Sequence, residues 1–85
     1  MFLNVGFGSR LENMRYVVIV EKGERSFGAY VPDLPGCVAI AETQEEVLQL
    51  IQEAIEFHLE GLRENGEPIP PPNSHIEYVE VLAAA

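Results

Sequence analysis

The sequence predicts an α+β domain with the element order β-β-β-α-β: an antiparallel three-stranded meander, one long helix and a final strand. Short β-branched and aromatic runs alternate with turn residues over the first half of the chain. A single long segment then repeats apolar side chains at helical spacing. A length of 85 residues leaves room for one domain. We assign residues 1–13 to an N-terminal arm and residues 14–85 to that domain.

The first strand is predicted over residues 15–22, RYVVIVEK. Its apolar side chains fall on both faces, which is typical of a strand that is central or covered on both sides. In the preceding arm, Ser9 and Glu12 have the spacing of a capping box, which suits one short helical turn.

Two further strands flank a proline-rich corner. Residues 26–33, SFGAYVPD, resume extended structure, and Pro32 ends that strand or places it at an edge because proline donates no ladder hydrogen bond. Residues 37–42, CVAIAE, form the third strand. The two are joined through the corner Pro32–Gly36.

The helix is predicted to begin after Thr43, which forms a capping box with Glu46. It ends near Glu64, because Asn65 and Gly66 suit a left-handed stop before a proline. Residues 67–73, EPIPPPN, then adopt extended polyproline-like backbone. Residues 75–82, HIEYVEVL, form the final strand.

The apolar arc of this helix is wider than one sheet covers. Apolar side chains and His58 fill about 200° of the helix circumference, whereas a sheet covers about 100°. The remainder is expected to meet another chain or the arm. We therefore predict a homo-oligomer, a dimer or a tetramer, with Leu50, Phe57 and His58 at its interface.

The charge balance restricts the class of partner. The chain has 14 acidic and five basic residues and a formal net charge of −9. Because nucleic-acid binding relies on clustered Lys and Arg, direct binding to nucleic acid is not expected. Two alternatives remain open: the charge attracts a basic protein, or it only keeps the domain soluble.

The sequence predicts neither a membrane protein nor a disulfide-bonded one. No apolar run approaches the roughly 20 residues that cross a bilayer, and the N-terminus does not read as a signal peptide. The single Cys37 has no partner for an internal disulfide. We expect a cytoplasmic protein.

No catalytic residue, metal site or cofactor is predicted. Cys37 lies at the start of a strand, and nothing in the spacing places His58 or His75 beside it. The helical glutamates suit a solvated face better than a metal site. The sequence therefore indicates a binding protein and not an enzyme.

Several motifs together resemble the N-terminal domain of HicB-type antitoxins. The resemblance covers residues 14 to about 82 and rests on the first strand, the corner, the helix start and the helix exit. The motifs are YVVIVEK, Pro32-Asp33-Leu34-Pro35-Gly36-Cys37, Thr43 with Glu45-Glu46, Glu53-Ala54-Ile55, and Gly66-Glu67-Pro68-Ile69-Pro70-Pro71-Pro72.

The resemblance implies a partial ribonuclease-H-like fold. It also implies that the protein binds and occludes a small basic HicA-type toxin, which cuts mRNA. Many HicB proteins carry a C-terminal DNA-binding domain, which has no counterpart in this sequence, so we expect a stand-alone member. The first strand also lacks the inward carboxylates that a two-metal nuclease needs.

The corner is the predicted contact surface for the toxin. The residues assigned to it are Tyr30, Asp33, Leu34, Pro35 and Gly36. Prolines fix the backbone, so such a corner loses little entropy on binding. The alternative is that the prolines and glycine only turn the chain. An alternative function is a solitary small-ligand-binding or assembly protein of the same fold without a toxin partner.

Overall fold

The computed structural model describes residues 14–84. Its three strands, β1 (Ile19–Lys22), β2 (Phe27–Tyr30) and β3 (Val38–Ala41), form an antiparallel sheet in the order β1-β2-β3. One helix follows, α1 (Gln44–Glu64). The predicted meander and long helix are thereby confirmed. The helical turn predicted at Ser9–Glu12 lies outside the described residues.

The first two strands are shorter than predicted because of Pro32. Ile19 pairs with Tyr30, and continuing this register would place Val17 opposite Pro32. Proline has no N–H group to donate and the chain turns there, so residues 15–18 are left without a ladder partner. In this order β1 is an edge strand, so of the two predicted arrangements, central or covered on both sides, the central one is wrong for the described chain.

The core lies between one face of the sheet and the helix. α1 packs across β3 and β2, while Tyr16, Val18 and Val20 extend the core on the β1 side. The fully enclosed side chains come from β2, the corner and the first half of the helix. They are Ala29, Val31, Leu34, Cys37, Val47 and Ile51.

Both ends of α1 follow from local sequence, as predicted. Thr43 Oγ1 accepts a hydrogen bond from the Glu46 N–H at 3.1 Å, which caps the N-terminus. At the C-terminus Gly66 has φ +71°, and the Glu67 N–H donates to the Leu62 carbonyl at 2.9 Å. This pairing is a Schellman motif, which satisfies carbonyls that the last turn leaves free.

The predicted final strand is not formed within the described chain. Residues 67–84 have no regular secondary structure, and residues 75–84 are all exposed. A strand needs a partner for its backbone hydrogen bonds, and residues 75–82 are not hydrogen-bonded to any strand of the described sheet. The structure therefore has a three-stranded sheet, and the ribonuclease-H-like arrangement stays a prediction.

Candidate partner-binding surfaces

The corner between β2 and β3 consists of two consecutive hydrogen-bonded turns. The Leu34 N–H donates to the Val31 carbonyl at 3.1 Å, and the Cys37 N–H donates to the Leu34 carbonyl at 3.1 Å. A third bond, from the Val31 N–H to the Cys37 carbonyl at 3.2 Å, closes the base of the corner. The backbone of the corner is thus held internally at three points.

Proline and glycine occupy the positions that these turns require. Pro32 and Pro35 are each the second residue of a turn, where a φ near −65° is needed. Gly36 is the third residue of the second turn and has φ +86°, as in a type II turn. The corner is therefore rigid before any partner arrives.

The residues that were predicted to contact the toxin differ in their exposure to solvent. Tyr30, Pro35 and Gly36 are exposed. Leu34 is 0% exposed and fills the core beneath the corner. Its assignment to a contact surface is wrong for this structure, because its side chain anchors the corner from below.

Asp33 is engaged within the chain. One carboxylate oxygen accepts from the Ser74 N–H at 2.8 Å, and the other accepts from the Ser74 hydroxyl at 3.0 Å. These two bonds, which we call the Asp33–Ser74 clasp, fix the end of the polyproline-like segment to the corner. The backbone bond from Ser74 is the main reason that the pKa of Asp33 is lowered.

A second tether lies beside the clasp. The Tyr16 hydroxyl donates to the Pro70 carbonyl. Partial burial, and then the negative charge of Asp33, raise the pKa of Tyr16, so this hydroxyl keeps its proton and remains a donor. Residues 67–74 are therefore held across one end of the domain, and the chain leaves the domain only after Ser74.

The face of the sheet that points away from the helix carries an exposed apolar patch. Tyr30 and Val38 are paired across β2 and β3, and Ile40 follows on the same face. Val38 is 62% exposed and Ile40 is 71% exposed. We call these three residues the outer sheet patch. The sequence signal was the run CVAIAE, which is apolar on both faces and therefore leaves one apolar face uncovered by a single helix.

The exposed side of α1 combines acidic and apolar side chains. At 100° per residue, one stripe contains Glu46, Leu50, Glu53, Phe57, Glu60 and Glu64, which we call the acidic stripe. Phe57 is 79% exposed within it. The structure thus places Leu50 and Phe57 together on a free surface. His58, the third predicted interface residue, is half-buried on the core side of the helix.

A groove separates α1 from the chain before β1. It has a volume of about 710 Å³. Tyr16 and Val18 form one wall, and Ile55 and Leu59 form the other. Its charged lining residues are Arg15, Glu56 and Arg63. We call it the β1 groove, and sequence reasoning missed it because its two walls are far apart in the chain.

The described residues offer little for catalysis. Cys37 is buried, and burial raises the pKa of its thiol, which disfavours the nucleophilic thiolate. Over residues 14–84, no group of three or more His, Cys, Asp or Glu side chains is arranged to hold a metal ion. In the same part of the chain, no helix has the length and apolar character to cross a bilayer.

Comparison with known proteins decides the family. A family model described as the HicB-like antitoxin of bacterial toxin–antitoxin systems matches residues 16–83. The chain belongs to this family. The match includes the exposed residues 75–82, so this segment is part of the HicB-like domain.

Individual relatives match over different shares of their length. A UPF0150 protein of Thermoplasma acidophilum is 40% identical over 62 residues, which are 72% of this chain and 90% of that protein. An uncharacterized 14.9 kDa protein of Haemophilus phage HP1 is 36% identical over 66 residues, covering 78% of this chain and 50% of the relative. Antitoxin HicB 2 of Photorhabdus laumondii is 36% identical over 78 residues, covering 86% and 53%. The HicB-like chain thus spans about half the length of the latter two relatives.

Proposed function

We propose that this HicB-like chain is an antitoxin that binds and occludes a small basic HicA-type toxin. The observation that carries the proposal is the family match over residues 16–83 in a chain of net charge −9. A toxin that acts on mRNA needs a basic surface for phosphate. An acidic protein is suited to cover such a surface.

The acidic stripe supplies the attraction. Its glutamates are exposed, and within residues 14–84 the sole close contact between an acidic and a basic side chain is that of His75 with Glu77 at 3.3 Å. The stripe is therefore free of internal salt bridges. A free negative surface accelerates encounter with a basic protein and orients it, and salt weakens both effects.

The corner and the outer sheet patch supply the contact. Tyr30, Val38 and Ile40 expose apolar surface beside the rigid turn at Pro35 and Gly36. Tyrosine is enriched among the residues that dominate binding energy, and a rigid backbone loses little entropy on association. The antitoxin in this proposal acts by covering the toxin and performs no chemistry on it.

The experiment is co-expression with the product of the adjacent reading frame, followed by purification of the complex. We expect growth to be rescued and the two proteins to purify together. Tyr30→Ala is expected to weaken the complex at least about tenfold in Kd. Arg25→Ala is the control, because Arg25 is exposed in the turn between β1 and β2, outside the corner, the outer sheet patch and the acidic stripe.

Distinct outcomes contradict different parts of the proposal. If the adjacent product is not toxic and forms no complex, the solitary binding protein becomes the better hypothesis. Equal Kd values for Tyr30→Ala and Arg25→Ala remove the outer sheet patch from the contact. RNA cleavage by the purified chain with magnesium would show that it acts as an enzyme. Asp33→Arg is not a clean test, because it also breaks the Asp33–Ser74 clasp.

A further inference from the structure

We propose that residues 75–82 of one copy form a strand on the free edge of β1 in a second copy and cover its β1 groove. The exchange is reciprocal and gives a two-fold dimer. We call residues 75–82 the tail. This inference concerns the free protein and does not depend on the identity of a toxin.

The first observation is the exposure of the tail. It contains five large apolar side chains, all of them exposed, and Tyr78 is 93% exposed. A contiguous apolar segment of this kind marks an interaction site. The exposed apolar residues are Ile76, Tyr78, Val79, Val81 and Leu82.

The second observation is a matching acceptor. Among residues 14–84, β1 has one edge without a paired strand, and residues 15–18 before it also lack a ladder partner. Together residues 15–22 are as long as the tail, about 26 Å when extended. An unpaired edge of this length is a template for strand addition. The adjoining β1 groove provides apolar walls for the side chains that would point toward the helix.

Charge selects the tail as the occupant. The tail carries two acidic residues, Glu77 and Glu80. His75 is its one residue with a basic side chain. The β1 groove is lined by two arginines and one glutamate, so it is locally positive on a strongly acidic protein. Opposite charges at this position lower the repulsion between two copies.

The point at which the tail leaves its domain favours a reciprocal exchange of tails between two copies over an open-ended series of copies. Ser74, His75 and Ile76 lie beside Arg15–Val18 of the same copy, across a gap of about 500 Å³. Each tail therefore leaves its own domain next to the groove that would receive the partner's tail. Donor and acceptor surfaces are adjacent, which is what a closed, self-complementary dimer requires. The Asp33–Ser74 clasp holds this exit point in place.

The test measures the mass of the full-length protein by sedimentation over a range of concentrations. We expect a dimer. Val79→Pro is expected to raise the dimer Kd at least about tenfold, because proline blocks a ladder hydrogen bond. Ala83→Pro, just beyond the tail, is its control. Arg63→Glu is expected to raise the Kd about fivefold, and Arg25→Glu, in the exposed turn between β1 and β2, is expected to leave it unchanged.

A second measurement identifies what lies in the groove. NMR on a mixture of differently isotope-labelled copies should give intermolecular contacts between Tyr78 or Leu82, which share one face of the strand, and Ile55 or Leu59. Intramolecular contacts alone would show that each tail folds back on its own domain. Contacts from residues 1–13, a monomer at all concentrations, or a dimer unaffected by Val79→Pro would each overturn the proposal. A dimer broken by Phe57→Lys but not by Val79→Pro would move the interface to the acidic stripe.

Discussion

Gly36 shows how the backbone of a single residue shapes the corner. Its φ of +86° lies in the left-handed region, yet an added Cβ would meet no atom within 4 Å. Gly36→Ala is therefore expected to destabilise the fold by about 1–2 kcal/mol through backbone strain alone. Urea denaturation measures this change in the free energy of unfolding.

Gly61 is the matched control for Gly36. It lies inside α1, and a Cβ added there also meets no atom within 4 Å. Because its backbone is helical, Gly61→Ala is expected to stabilise the fold by about 0.5–1 kcal/mol. If both substitutions changed stability in the same direction, the strain assigned to Gly36 would be incorrect.

The Asp33–Ser74 clasp gives a prediction for pH. The pKa of Asp33 is lowered in the fold, so the clasp stabilises the fold fully above the unfolded-state value of about 3.9. Its contribution is lost as the pH falls through the lowered pKa. We expect the Ser74 amide resonance to shift in that acidic range as the hydrogen bond breaks. The shift should disappear in Asp33→Asn and persist in Glu77→Gln, and its persistence in Asp33→Asn would exclude the clasp as its cause.

At the scale of single residues, the sequence predicted the turns of the corner. It did not predict which side chains of the corner are buried or hydrogen-bonded. Two prolines and a glycine specify a corner by local rules, and the structure has that corner. The burial of Leu34 and the engagement of Asp33 depend on α1 and on Ser74. Those partners lie far away in sequence, so local pattern did not reveal them.

Among the elements, α1 is predicted best because the residues that determine its two ends are adjacent to those ends in the sequence. Thr43 and Gly66 fix the two termini, and the structure matches both. The strands are less predictable, since their lengths depend on register. The position of Val17 opposite Pro32 ends the ladder between β1 and β2, and this pairing is known only once the strands are aligned.

Repulsion between like charges on α1 lowers the stability of the fold. Glu56, Glu60 and Glu64 are spaced four residues apart on an exposed face, and like charges at that spacing repel. Glu60→Lys is expected to raise the free energy of unfolding by about 0.5–1 kcal/mol at low salt. Thermal and urea denaturation measure the gain.

Glu60→Gln and added salt are the controls for this helix prediction. Glu60→Gln removes the repulsion without adding attraction, so it should give a smaller gain. About 1 M NaCl should reduce both gains by screening. A gain for Glu60→Lys that is unchanged at high salt would indicate a cause other than charge.

At the scale of the whole molecule, the sequence predicted a four-stranded domain, and the described chain forms three strands followed by an exposed tail without regular structure. Residues 75–82 are rich in side chains that favour strands, and the predicted strand is not formed in the described chain. Composition does not specify which chain supplies the neighbouring strand. Partner choice depends on the placement of edges and grooves, which appears only in three dimensions.

The clasp at Ser74 also bears on how long the protein survives in a cell. Proteases engage an exposed, extended peptide far more readily than a packed domain. In a lone copy the apolar residues after Ser74 are such a peptide, whereas pairing with a second copy would shield them. Degradation would then be fastest when the protein is scarce, which links its turnover to its own abundance.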